Sequence, residues 1–281
     1  MAYCLVNHRH WPNNIICKEV TDYVKQERQN NRYKNSYPLH KDLHHGLSSQ
    51  AMVFNLFGPL IVRNDFATLR RIIEKLGIRW PTGNIKAAFE YDDRSVFNED
   101  SGQPTSIDIS LIGDSGSIFI EAKLSEKEFG GCSVYSGGDC EGSNPYPDNL
   151  GQCYLHHIGR KYWQRMDEFG FADSAIMTGV ICPFINYYQF FREVMFAFDK
   201  DGTFILLHDE RNPAFLKQSS DSMLTSGLWP FLYDSIPQRL RHRVLRLTIQ
   251  DIVKTIEESG GHEKWLRDFK EKYGLIKIIP Q

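Results

Sequence analysis

The stretch from Thr105 to Leu124 constrains this chain more than any other. Two arms of strict alternation, Thr105-Ser106-Ile107-Asp108-Ile109-Ser110-Leu111-Ile112 and Ser117-Ile118-Phe119-Ile120-Glu121-Ala122-Lys123-Leu124, flank Gly113-Asp114-Ser115-Gly116. Period-two alternation marks a half-buried strand, and a Gly/Asp/Ser tetrapeptide suits a tight turn, so the segment predicts a β-hairpin. A two-residue loop at Asp114-Ser115 pairs Gly113 with Gly116. Leu111 then falls opposite Ile118, Ile109 opposite Ile120 and Ile107 opposite Ala122, all on one face. A slip of one residue would turn that apolar set to the other face, so the register is well specified.

The same register puts Asp108 opposite Glu121, with Lys123 two residues along on the Glu121 face. Opposed carboxylates, with Cβ atoms roughly 5 Å apart, repel each other and call for a cation. Lys123 supplies part of the balance, and a divalent ion supplies more; hard oxygen donors suit Mg²⁺ or Mn²⁺. Such an ion lowers the pKa of a water and stabilises charge developing on a phosphate, while an adjacent lysine orients or deprotonates the water. An ordinary solvent-facing strand would carry the same residues, although Phe119 and Ile112 on that face argue against full exposure.

Around the hairpin the periodicity predicts helices at 49–57 and 65–76, a first strand at 84–91, a long amphipathic helix at 149–169 and a buried strand at 175–181. Residues 187–198 fit a helix or a strand. Strands at 203–207 and 244–248 and helices at 251–258 and 262–273 follow, and 21–46 reads as a helical arm or a loop. The order of helix, three strands, helix and strand from 49 to 181 suits an α/β sheet covered by helices.

Asp108 followed by Glu121-Ala122-Lys123 resembles the PD-(D/E)XK motif of restriction-endonuclease-like nucleases, with Ile107 where the motif's name has proline. The resemblance covers the middle half of the chain. It implies an α/β, restriction-endonuclease-like core with helical additions at both ends. A single domain over 1–281 is expected, with the core at about 48–185, an N-terminal arm at 1–47 and a C-terminal extension at 186–281. It further implies that Asp108 and Glu121 hold Mg²⁺ or Mn²⁺, that Lys123 is the catalytic lysine, and that Glu90 on the first strand supplies a further acid. Gln152 stands where some branches place a glutamine near the metal, with His156 four residues on in place of their tyrosine. DNA is the implied substrate, cut endonucleolytically, and such enzymes are often homodimers. The same fold without cleavage, as a nucleic-acid-binding module, is the alternative.

Gln50 and Asn55, on an apolar helix, either hold a substrate backbone or satisfy buried groups. Cys132, Cys140 and Cys153, with His156, could form a structural Zn²⁺ site, and the superfamily also includes enzymes with an iron–sulfur cluster on four cysteines. A zinc-dependent small-molecule hydrolase would use the same residues. No Ser-His-Asp order and no phosphate-cradling GxxxxGK[ST] loop is present. Basic runs at 160–165 and 239–246 are candidates for phosphate contacts. Lys plus Arg is 33 against 35 for Asp plus Glu, so nucleic-acid binding must rest on local features rather than net charge. No apolar run is long enough for a membrane span, and the N-terminus has no signal-peptide pattern. Six irregularly spaced cysteines do not form a disulfide framework, and a cytoplasmic location is expected.

Overall fold

A computed structural model describes residues 5, 7–30, 37–218 and 225–276. The chain begins with α1 (Lys18–Asn30), α2 (Ser49–Val62) and α3 (Phe66–Glu74). The antiparallel strands β1 (Lys86–Asp92), β2 (Ser106–Gly113) and β3 (Gly116–Lys123) follow. A long excursion then carries only the short helices α4 (Ser133–Ser136), α5 (Tyr154–His157) and α6 (Tyr162–Glu168). It leads into α7 (Phe184–Asp199) and β4 (Thr203–His208). The two-residue strands β5 (Lys217–Gln218) and β6 (Thr225–Ser226), α8 (Leu228–Ser235), β7 (Val244–Thr248), α9 (Ile249–Ser259) and α10 (Glu263–Lys272) complete the order.

The main sheet has the order β1-β2-β3-β4-β7, antiparallel from β1 to β3 and parallel from β3 through β4 to β7. The parallel step from β3 to β4 runs through α7, as a parallel connection requires a crossover. Helices cover both faces. On one side α2, α9 and α10 pack with Ile109, Leu111, Ile118, Ile120, Ile205 and Leu207. On the other, α7 and α8 pack with Phe119, Phe204 and Leu206 through an aromatic cluster that includes Phe190, Phe191 and Phe196.

The hairpin register is the expected one, with Gly113 opposite Gly116, Leu111 opposite Ile118 and Ile109 opposite Ile120. Ile107 departs from it and packs in the second cluster. The ladder ends at Ile109–Ile120, because beyond that point the Asp108 side chain takes the Ala122 N–H.

Two expected elements fall elsewhere. Residues 149–169 form a three-residue 3₁₀ turn (Leu150–Gln152), α5 and α6 rather than one helix, with Gly159 at φ 82° interrupting them. Residues 175–181 are turns, joined to the rest by an isolated bridge from Ile181 to Ser143. The first long helix after the hairpin is α7, and the next strand of the main sheet is β4, which ends at His208. The helix at 49–57 continues through Gly58-Pro59 to Val62, with every residue from Gln50 to Ile61 buried.

Glycine at 131 lets the excursion dock on α7. A Cβ there would sit 2.1 Å from the Ile185 carbonyl oxygen. On either side, Gln189 N–H donates to Gly130 and Cys132 N–H to Phe184. Gly131→Ala must move this docking. We expect it to cost about 1–3 kcal/mol, as other overpacked sites do, read as a lower urea midpoint at unchanged slope.

Candidate active site

The end of the β2–β3 ladder opens into a cleft of about 1360 Å³. Asp108, Glu121 and Lys123 line it from the hairpin, Glu90 from β1, and Gln189, Arg192 and Glu193 from α7. The segment from Pro38 to Gln50 and residues Ser125–Glu128 form its mouth. This volume exceeds an ordinary small-molecule pocket and suits an extended substrate.

Alternation places the hairpin residues here. Glu121 and Lys123 are buried, at 4% and 6% exposure, while Asp108 is half-buried and opens toward the cleft. Asp108 Oδ2 accepts from the Ala122 N–H at 2.8 Å, which fixes the β2 acid against the β3 pair. Lys123 Nζ donates to Glu121 Oε1 and to Gln189 Oε1, both at 2.8 Å, and Gln189 Nε2 donates back to Glu121 Oε1 at 2.7 Å. The ammonium and the amide therefore form a closed ring with one carboxylate oxygen.

Glu90 stands on β1 with φ 52°, the left-handed region that non-glycine residues rarely occupy and that costs about 1–3 kcal/mol. Its oxygens are held by Gln50 Nε2 at 2.5 Å and Ser106 Oγ at 2.8 Å. Gln50 also bonds the backbone at Pro38 and His40, so it ties the mouth to the acid. Asn55 serves packing, with bonds to Ile16, Asn14 and Tyr273.

The electrostatics show a shortage of positive charge. Burial pushes the Glu90 carboxyl up to about 7, with Glu121 and Asp92 adding to it and the bonds from Gln50 and Ser106 opposing. Burial, then the charges of Glu121 and Glu90, raise Asp108 well above the usual carboxylate range. Burial and Glu121 do the same for Glu193. Burial disfavours the Lys123 ammonium, yet Glu121, Glu193 and Asp108 outweigh it and its pKa is raised. Arg192, beside Glu193 on α7, pairs with Glu99 at 2.7 Å.

The donor set can be tested against a divalent ion. As the side chains lie, no three His, Cys, Asp or Glu among the described residues are arranged to hold a metal. Yet Glu90, Asp108, Glu121 and Glu193 line the cleft around the buried Lys123 ammonium, and Glu193 Oε2 is buried with no hydrogen-bond partner. Buried carboxylates in that position must bind protons or a cation. Oxygen donors of this kind fit Mg²⁺ or Mn²⁺, with Asp108 and Glu121 the residues that would hold it.

Other expected residues lie apart. Gln152 is exposed on the 3₁₀ turn and lies outside the cleft lining. The glutamine that reaches the motif is Gln189, on the helix that precedes β4, with Glu193 four residues on. Both are polar residues inside the apolar run 184–198, four apart and so on one helix face; that spacing was the available signal.

Three of the expected cysteines, Cys132, Cys140 and Cys153, lie near a fourth, Cys182. Gly142 N–H donates to Cys140 Sγ, Trp163 Nε1–H to Cys153 Sγ, and Cys182 N–H to Gly142. Cys182 joins Cys132, Cys140 and Cys153, and burial pushes its thiol up to about 12. All four are free cysteines. No described helix is long and apolar enough to cross a membrane.

The mixed sheet with helices on both faces, and the Asp-Glu-Lys cluster at the hairpin's end, are compatible with the restriction-endonuclease-like class of nucleases. A family model described as "Restriction Endonuclease associating with ARP" matches residues 1–274, and the chain belongs to that family. No curated protein and no solved structure matches it.

Proposed function

We propose that the protein is a Mg²⁺- or Mn²⁺-dependent endonuclease that hydrolyses phosphodiesters in DNA. The bond from Ala122 N–H to Asp108 Oδ2 carries this reading, because it holds acids of two strands beside Lys123 in one cleft. Asp108 and Glu121 are the cation's ligands, and Glu90 is an outer acid held by Gln50 and Ser106. The ion, when bound, supplies Lewis-acid stabilisation of charge on the phosphate. Lys123, steadied by Gln189, orients the attacking water and faces the charge that develops in the transition state. Glu90, with a pKa near neutrality, can take up a proton released in the cleft. The family description couples its members with ARP, and we extend that association to this chain.

The test is incubation with supercoiled, linear and single-stranded DNA in Mg²⁺ or Mn²⁺. Nicking or linearisation of closed circles that EDTA stops is the expected result. Digestion only from free ends would contradict the endonucleolytic assignment, and cleavage indifferent to EDTA would contradict the cation.

A further inference from the structure

We propose that Cys132, Cys140, Cys153 and Cys182 hold a structural Zn²⁺ that fastens the excursion between β3 and α7 onto the start of α7. The proposal stands apart from the hairpin acids and from the cleavage assigned to them.

The excursion is where a clasp has most to do. Between Leu124 and Pro183 it carries helices of only four, four and seven residues and one 3₁₀ turn. A metal that closes a long loop removes entropy from the unfolded chain, and a segment so poor in regular structure gains most from it. Four of the chain's six cysteines fall there, from 132 to 182.

Hydrogen bonds and ring packing bring these four together from distant points of the sequence. Cys182 N–H donates to the Gly142 carbonyl at 2.9 Å, and Gly142 N–H donates to Cys140 Sγ at 3.4 Å, so Gly142 joins the two cysteines. Cys132 N–H donates at 2.9 Å to the carbonyl of Phe184, two residues after Cys182. Cys153 Sγ accepts from Trp163 Nε1–H at 3.4 Å, and the Trp163 ring packs on Phe184 with centroids 4.8 Å apart. The four therefore gather around Gly142 and residues 182–184.

Two of these bonds end on sulfur. A neutral thiol is a weak acceptor, whereas a metal-bound thiolate is charged, and metal ligands are themselves held by hydrogen bonds. Here a backbone N–H and the N–H of Trp163, which is 1% exposed, are both spent on cysteine sulfur. Gly142, at φ 81°, occupies the left-handed region as its N–H turns back onto Cys140. As the side chains lie, the sulfurs do not close on one point. Each swings about a single torsion, so the backbone already in place decides which can meet. Cys182 takes the fourth place that spacing gives to His156. Thiolates select Zn²⁺ over Mg²⁺, so this ion differs from the one at the hairpin. The clasp also reaches the cleft, because Gly130, two residues before Cys132, accepts from the N–H of Gln189.

The experiment measures metal by elemental analysis in untagged wild type, Cys182→Ser and His156→Ala chains, purified without added metal and dialysed. One zinc per chain is expected in wild type and His156→Ala, and none in Cys182→Ser. Cobalt exchanged into the wild type should give the visible spectrum of a tetrahedral thiolate site, a readout that stands even if Cys182→Ser does not fold. Wild type without zinc, zinc retained by Cys182→Ser, or a cobalt spectrum without thiolate ligands would overturn the proposal. So would zinc lost from His156→Ala, which would return the fourth place to histidine. Iron and sulfide in place of zinc would make the cysteines ligands of an iron–sulfur cluster and overturn the choice of ion. None of these readouts depends on DNA cleavage, so the nuclease reading and this one fail separately.

Discussion

Replacing Lys123 by methionine abolishes cleavage and lowers stability in cation-free buffer, by about 3–5 kcal/mol if it behaves like other broken buried ion pairs. The ammonium is buried and bonded to Glu121 and Gln189. Its removal leaves Asp108, Glu90, Glu121 and Glu193 to repel one another. The two losses can be separated. Saturating Mg²⁺ should return much of the stability, because an ion bound only by the folded chain shifts the equilibrium toward it. Activity should stay lost, since Mg²⁺ does not replace an amine that orients water. Urea denaturation with EDTA and with Mg²⁺, beside a cleavage assay, reads both. Stability unchanged in EDTA would mean that Lys123 does not balance the cluster.

Stability of the cation-free wild type falls as the pH rises. The folded chain holds the Glu90 proton to about 7, whereas the unfolded chain releases it near the ordinary value of 4.5. Across that window the folded state binds more protons than the unfolded state, so raising the pH favours unfolding. The stability contributed by the protonated acid is present below the window and gone above it. Glu90 alone accounts for a change on the order of 3 kcal/mol, and Asp108 and Glu193, both raised, act in the same direction. Mg²⁺ should flatten the profile by replacing protons with a cation. Asp108→Asn should reduce the slope, raise stability at alkaline pH and eliminate cleavage, which is the trade expected of a site built from strained charge. Urea midpoints measured with EDTA from about pH 5 to about pH 8 test this, and a profile that rises over that range would contradict it.

The hairpin was legible because its register follows from alternation and turn chemistry alone. Apolar partners at Ile109–Ile120 and Leu111–Ile118 specify it, and the acids follow. The point where the ladder stops was not legible, because a side chain, Asp108, replaces a backbone acceptor there. The excursion misled for a different reason. Residues 149–169 have helical periodicity, yet Gly159 in the left-handed region and the packing of Trp163 on Phe184 divide them. With the helix placed there, Gln152 was expected near the motif, whereas Gln189 is the glutamine that bonds Glu121 and Lys123. The stretch 187–198 carried the decisive polar residues inside an apolar run, and period alone does not separate a buried helix from a buried strand.

Cleavage of supercoiled DNA by wild type and by Asp108→Ala, side by side in Mg²⁺ and with DNA binding measured in the same samples, tests the central claim most directly. The account predicts that wild type cuts and that Asp108→Ala binds DNA but cuts about a hundredfold to a thousandfold more slowly, the order of loss seen when one preorganised stabilising group is removed. Equal cleavage by both chains would contradict it and place the chemistry somewhere other than the end of the hairpin.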